Sequence, residues 1–398
     1  MLCPLTSFFN GRQRPTGSND PAEQTKFYRG DNVFADPPSV NNALKLTYTG
    51  TPRAAIMLPL APGVVTIPPA LVAGQATYSP TPGQHITGLT YTEVAALGTT
   101  TGPHLLTLSF DDCGGCAGDF ALTNFPSLTA LSLPVFMACA GNFAPVHMPL
   151  LTTLSHPALL YAGYYQPAFL DTLATLSAAS LQHVVHDFYP QFMAGLTSWN
   201  FPSLASVGGD VRAASFGSLV TLSFPALAFV GGNFNPNTMA SLTSLGLAAL
   251  ANVLGDFHPQ SMGALTTINA PALANVSGNI TIDTMASLTT VSLANLVTCP
   301  GTISLQTSNG NLTSVTLGTP GVTKALTGAS IRIDGQKLTA ASVNAILALL
   351  VSLDGTNGTT FWGSKTLIIN GGTNAAPTGQ GITDKATLIA RSASITTN

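Results

Sequence analysis

Apolar positions along this chain return at a fixed interval. A tetrapeptide of the general form Leu-Thr-x-Leu begins at Leu128, Leu151, Leu173, Leu196, Leu219, Leu242, Leu265, Leu288 and Leu312, with a weaker copy at Leu105. The successive steps from Leu105 are 23, 23, 22, 23, 23, 23, 23, 23 and 24 residues. The whole unit keeps this register, reading Met-x-x-Leu-Thr-x-Leu-x-Phe-Pro-x-Leu-x-x-Val-Gly-Gly-Asn-Phe-x-Pro, as in Met239 to Pro259. One column of small apolar residues runs Cys116, Cys139, Ala162, Val184, Val207, Val230, Val253, Val276 and Cys299. Another, three residues upstream, is almost entirely Leu from Leu159 to Leu296. A third, four residues downstream, reads Phe120, Phe143, Gln166, Phe188, Val211, Phe234, Phe257, Ile280 and Ile303, with Gln166 out of character.

A repeat this short holds two strand-like stretches and cannot bury its apolar face alone, so it must stack on its neighbours. The pattern predicts a mainly β fold, a parallel β-solenoid over residues 101–318 with about nine coils of about 23 residues. At the parallel-strand spacing those coils would extend for about 45 Å. Pro145, Pro167, Pro190, Pro236 and Pro259 fit corners, where a fixed φ and a missing N–H do no harm. Right-handed winding is the default for parallel crossovers.

The flanks lack the period. Residues 1–100 are Pro-rich, as in Pro52 to Pro69, and are expected to form an extended arm or adaptor that anchors the protein to a partner. Residues 319–398 are expected to form a small α/β cap over an otherwise open solenoid end. Within it Thr339 would N-cap a helix with the apolar stripe Val343, Ile346, Leu347 and Leu350. A strand at Thr366 to Asn370, a helix at Thr383 to Ala390 and a last strand at Ser394 to Thr397 would follow.

Composition narrows the function. Hydrophobic residues make up 45% of the chain, enough for a large core, but charged residues only 7%. Between residues 105 and 318 there is one basic residue, Arg212, against eight Asp, a formal charge of −7. A nucleic-acid partner requires clustered Lys and Arg, so none is expected. No apolar run is long enough for a membrane-spanning helix, and the first ten residues lack a basic, uninterrupted apolar signal.

The candidate chemistry is sparse. Cys113-Gly-Gly-Cys116, with Cys139 and Cys299, has metal or redox spacing, but all four cysteines fall in apolar columns and read as small buried hydrophobes. Cys116 over Cys139, one coil apart, is the pair that could cross-link. The column Asp119, Asn142, Tyr165, Asp187, Asp210, Asn233, Asp256 and Asn279 lies between inward positions and reads as a solvated face, with a cation site as its alternative. Two coils depart from the consensus with Tyr161, Tyr164, Tyr165, His183, His186 and Tyr189; a one-coil offset sets 161 beside 183, 164 beside 186 and 165 beside 187. With Asp187 and Asp210 these form the candidate contact site for a ligand, a receptor or a neighbouring subunit. No catalytic residue, metal site or cofactor is expected, because paired carboxylates, a triad and a non-periodic glycine loop are all missing from the pattern.

Two segments resemble known proteins. Phe201-Pro-Ser-Leu-Ala-Ser-Val-Gly-Gly-Asp-Val211 and Phe224-Pro-Ala-Leu-Ala-Phe-Val-Gly-Gly-Asn-Phe234 resemble the leucine-rich-repeat-like solenoids of receptor L domains and fungal cell-wall proteins. The tail from Asn370 to Arg391 resembles a C-terminal module of tailed-bacteriophage structural proteins and some bacterial repeat proteins. Together they imply a non-enzymatic virion protein on the particle exterior: a tail fibre or receptor-binding module, or a capsid or tail-surface decoration protein. Its partners would be other virion proteins through residues 1–100, a host receptor or glycan, and further copies of itself. A bacterial or fungal cell-surface adhesin is the alternative.

Overall fold

A computed structural model describes residues 106–398, apart from 111, 112, 117 and 307–309, and the backbone of short strands between Phe27 and Leu105. The expected N-terminal arm therefore lies largely outside the described residues. Two compact units are formed, Met1–Leu196 and Thr197–Asn398. Both contain the anticipated parallel β-solenoid, about nine turns in all, and among the described residues helix occurs only at Ala340–Ser352 and Gln380–Ala390.

In the first unit each coil contributes two short strands to two faces. On one face Leu105–Phe110, Ala130–Ser132, Thr153–Ser155 and Thr175–Ser177 pair in parallel, so that Leu108, Leu131, Leu154 and Leu176 are aligned. On the other, Gly115–Cys116, Ala138–Phe143, Tyr161–Tyr165 and His183–Val184 align Cys116, Cys139, Ala162 and Val184. Strand Leu44–Gly50 runs antiparallel to Leu105–Phe110 and to Gly74–Tyr78, while Leu89–Thr92 runs parallel to Phe120–Thr123.

Stacking of identical positions explains the columns. Phe120, Phe143, Tyr165 and Phe188 form a continuous ring stack with centroids 5.3, 5.5 and 5.2 Å apart, all completely buried. Each such pair adds about 0.5–1.5 kcal/mol to the free energy of burying the rings. The Thr of Leu-Thr-x-Leu ties successive coils together through its hydroxyl. Thr152 Oγ1 donates to the Thr129 carbonyl at 3.0 Å, and Thr129 Oγ1 to that of Leu106 at 2.9 Å.

In the second unit the same hydroxyl ladder recurs, with Thr289 donating to Thr266 and Thr313 to Thr289, each at 3.1 Å. The C-terminal region follows the expected order. Helix α1 spans Ala340–Ser352, with Thr339 accepting from Ser342 N at 3.2 Å and Val343, Ile346, Leu347 and Leu350 buried. Helix α2 spans Gln380–Ala390, beginning three residues before the expected Thr383, directly after Gly379 at φ 51°.

This region continues the ladder as well as closing it. Ile280–Asp283, Ile303–Gln306, Ser330–Arg332, Thr366–Ile369 and Ser394–Thr397 form one parallel sheet. Opposite it the short-strand face stops at Ser314–Thr316, where Ser342 of α1 intervenes. Ser342 Oγ donates to the Val315 carbonyl at 3.2 Å and accepts from Val315 N at 2.9 Å, satisfying an edge that would otherwise be open.

Candidate functional site

The Asx column is a structural ladder rather than a freely solvated face. In the first unit Asp119 Oδ1 accepts from Asn142 N at 2.7 Å. In the second unit Asp210 accepts from Asn233 N at 2.5 Å, Asn233 from Asp256 N at 2.8 Å, Asp256 from Asn279 N at 2.7 Å, and Asn279 from Thr302 N at 2.9 Å. A short side chain with an acceptor oxygen is what this contact demands, and Asp and Asn both supply it. The same contact dictates the glycine before each Asx. A Cβ on Gly141, Gly232, Gly255 or Gly278 would overlap the Asx oxygen of the coil below. These glycines have ordinary φ angles, so they are needed for space, not for backbone freedom.

The aromatic coils break this arrangement by a linked exchange. Tyr164 occupies the place of Asx, paired with Asn142, and His186 occupies the place of Gly. With no short carboxylate or amide beneath it, position 186 accepts a side chain. The two rings stack at 4.5 Å with 25° between their planes. Beside them Tyr161 and His183 are register partners and stack at 5.3 Å and 18°. Burial lowers the His183 pKa.

Tyr165 is a correction to the expected site. It is fully buried, pairs with Phe143 below and Phe188 above, and does not stand beside Asp187 on the surface. The coil that advances by 22 residues lost its residue here: Ala162 and Tyr165 are three apart, whereas Cys139 and Phe143, or Val184 and Phe188, are four apart. Tyr165 thus takes the inward place that simple counting gives to Gln166, and Gln166 turns outward to half-exposure. Asp187 and Tyr189 are half-buried in the first unit, and Tyr189 N donates to the Tyr165 carbonyl at 2.8 Å. Asp210 belongs to the second unit, where the Arg212 guanidinium also bonds it.

The pattern of columns contains a group that counting overlooked. His156 occupies a core position aligned in sequence with Leu133, Ala178, Phe201 and Phe224. It is completely buried, with Nε2 3.0 Å from the Tyr165 hydroxyl. Burial lowers its pKa to about 4 and raises that of Tyr165 well above the usual range.

The four described cysteines are buried free thiols in the columns expected for them. Cys116 and Cys139 are register partners with their sulfurs 3.6 Å apart. Burial pushes Cys113 up to about 12 and Cys299 to about 11, while the adjoining Cys139 thiol and burial together raise Cys116. Such groups are poor nucleophiles at neutral pH. Among the described residues no three His, Cys, Asp or Glu side chains come together as a metal site, and no helix is long and apolar enough to cross a membrane. The chain matches no family model, no curated protein and no solved structure.

Proposed function

We propose that this chain is a non-enzymatic structural protein of a virion exterior, in which a solenoid carries a contact face for attachment. A tail fibre or receptor-binding module is the first form of this reading, and a capsid or tail-surface decoration protein the second. The observation that carries it is the linked replacement of the Asx–Gly contact by Tyr164 and His186, which exchanges a stabilising backbone bond for surface rings. Departures from a locally consistent pattern concentrate where a protein makes its contacts. The likeness of Asn370 to Arg391 to phage structural modules supplies the virion part of the reading. The non-enzymatic part is supported by the Asx file, whose oxygens are engaged by main-chain N–H groups instead of facing a second carboxylate across a groove.

The test is to locate the chain in its native source, by mass spectrometry of purified particles and cryo-electron microscopy. Density at a tail tip or on a capsid, with residues 1–100 against another virion protein, supports the reading and separates fibre from decoration. Recovery in the cell wall, or only as isolated monomers, refutes it and favours a cell-surface adhesin.

A further inference from the structure

We infer that the aromatic stacks of the first unit form a docking face for an uncharged carbohydrate chain. The assignment deepens the attachment reading above and rests on it for its biological setting.

Three stacks follow one another along the same arc of successive coils. Beyond Tyr161–His183 and Tyr164–His186, the corner column carries His147, Phe169 and Phe192, with centroids 4.4 and 4.6 Å apart. Every described residue of that corner column has a left-handed backbone: Asn124, His147, Phe169 and Phe192 at φ 56–60° in the first unit, and Ser215, Thr238, Ser261 and Thr284 at 52–64° in the second. A Phe in this region is unfavourable by about 1 kcal/mol or more. Phe169 and Phe192 are each 39% exposed, so part of each ring faces solvent at this strained position. The Tyr161–His183 column continues in the second unit as Ser206, a buried Phe229, Asn252, Asn275 and Thr298, and the last three show its polar solution: Asn275 Nδ2 donates to Asn252 Oδ1 and Thr298 Oγ1 to Asn275 Oδ1, each at 2.8 Å. These coils of the first unit thus forgo three polar solutions and display rings instead.

Charge selects the occupant. Residues 106–196 contain no Lys or Arg, and their acidic residues are all Asp, so phosphate-, sulfate- or carboxylate-bearing polymers meet no countercharge. The Tyr hydroxyls, Gln166 and Gln191 beside the rings are uncharged hydrogen-bonding groups, while the nearby carboxylates of Asp171 and Asp187 repel anionic polymers. Sugar rings present apolar C–H faces and uncharged hydroxyls, the two chemistries this surface offers.

The test applies the full-length protein to immobilised dextran, mannan and chito-oligosaccharides, with heparin and polysialic acid as charged counterparts. Two variants restore polar residues that the same columns already use: Phe169→Asn with Phe192→Asn, after Asn124, and Tyr161→Asn with His183→Asn, after Asn252 and Asn275. We expect at least one neutral glycan to be retained and both charged polymers to pass through. Each variant should weaken retention at least tenfold while keeping the parent's circular dichroism and a cooperative melting transition above the assay temperature, an outcome that loss of folding cannot produce. Retention of none of the neutral probes, preference for the charged polymers, or variants that bind as well as the parent overturns the inference. The two readings fail separately. A chain found on particles that binds none of the neutral glycans keeps the virion reading and loses this one. A chain absent from particles that binds a neutral glycan through these rings does the reverse.

Discussion

Acidification should loosen the third coil of the solenoid through one buried imidazole. His156 titrates at about 4 in the fold, against 6.5 for an unperturbed side chain, because burial penalises its charged form. Above pH 6.5 the ring is neutral in both folded and unfolded chains, and its contribution is constant. As the pH falls below 6.5 the unfolded chain takes up the proton first, so stability declines until the folded form also protonates near 4. At 1.36 kcal/mol per pH unit, the interval corresponds to a loss of about 3 kcal/mol by about pH 4. His183, whose pKa burial also lowers, titrates in the same direction, and Asp334 and Asp354, held low by hydrogen bonds, add losses at still lower pH. The informative quantity is therefore the difference between the parent and His156→Leu, a residue that the same column already uses at Leu133. Hydrogen exchange of peptides covering Phe143 to Phe188 at about pH 7.5 and about pH 4, corrected for intrinsic rate, measures the opening free energy of this segment without assuming that the whole chain unfolds at once. The parent should lose about 3 kcal/mol more than the variant between the two conditions. Equal losses in parent and variant would refute the assignment of His156 as a group held neutral by burial.

Three further outcomes test the ladders. Gly278→Ala places a Cβ against the Asp256 carboxylate and the Gly255 backbone and should cost about 2–3 kcal/mol in urea denaturation, the upper range for overpacking, whereas Gly217→Ala, with open space around it, should cost less than about 0.5. Ser342→Ala removes both bonds to Val315 and should cost about 1–3 kcal/mol, seen as faster exchange at Val315 with α1 still helical by circular dichroism. In native buffer at neutral pH, iodoacetamide should leave Cys113, Cys116 and Cys299 unmodified over hours and label them promptly in urea; rapid native labelling would contradict both their burial and their raised pKa values.

The period of 23 residues was enough to place the solenoid, because a stacked coil exposes each column to its own copies and so forces one chemical character on it. The buried Leu, Val and Phe columns, the four core cysteines, the Thr339 cap and the stacking of Tyr161 on His183 and of Tyr164 on His186 were all legible in that way. What the repeat could not fix was the register inside the one coil that is a residue short. Counting backward from the consensus puts Gln166 inside, and only the closed coil, with its deletion between Ala162 and Tyr165, reveals that the tyrosine belongs to the phenylalanine stack. The Asx column eluded the sequence for a different reason. Alternation establishes which way a side chain points, but not that its oxygen reaches the N–H of the coil above, nor that the next glycine exists to let it pass. The Phe residues at left-handed corners also became visible only in three dimensions, since backbone handedness at a turn follows from how the coil closes and not from the residue that occupies it.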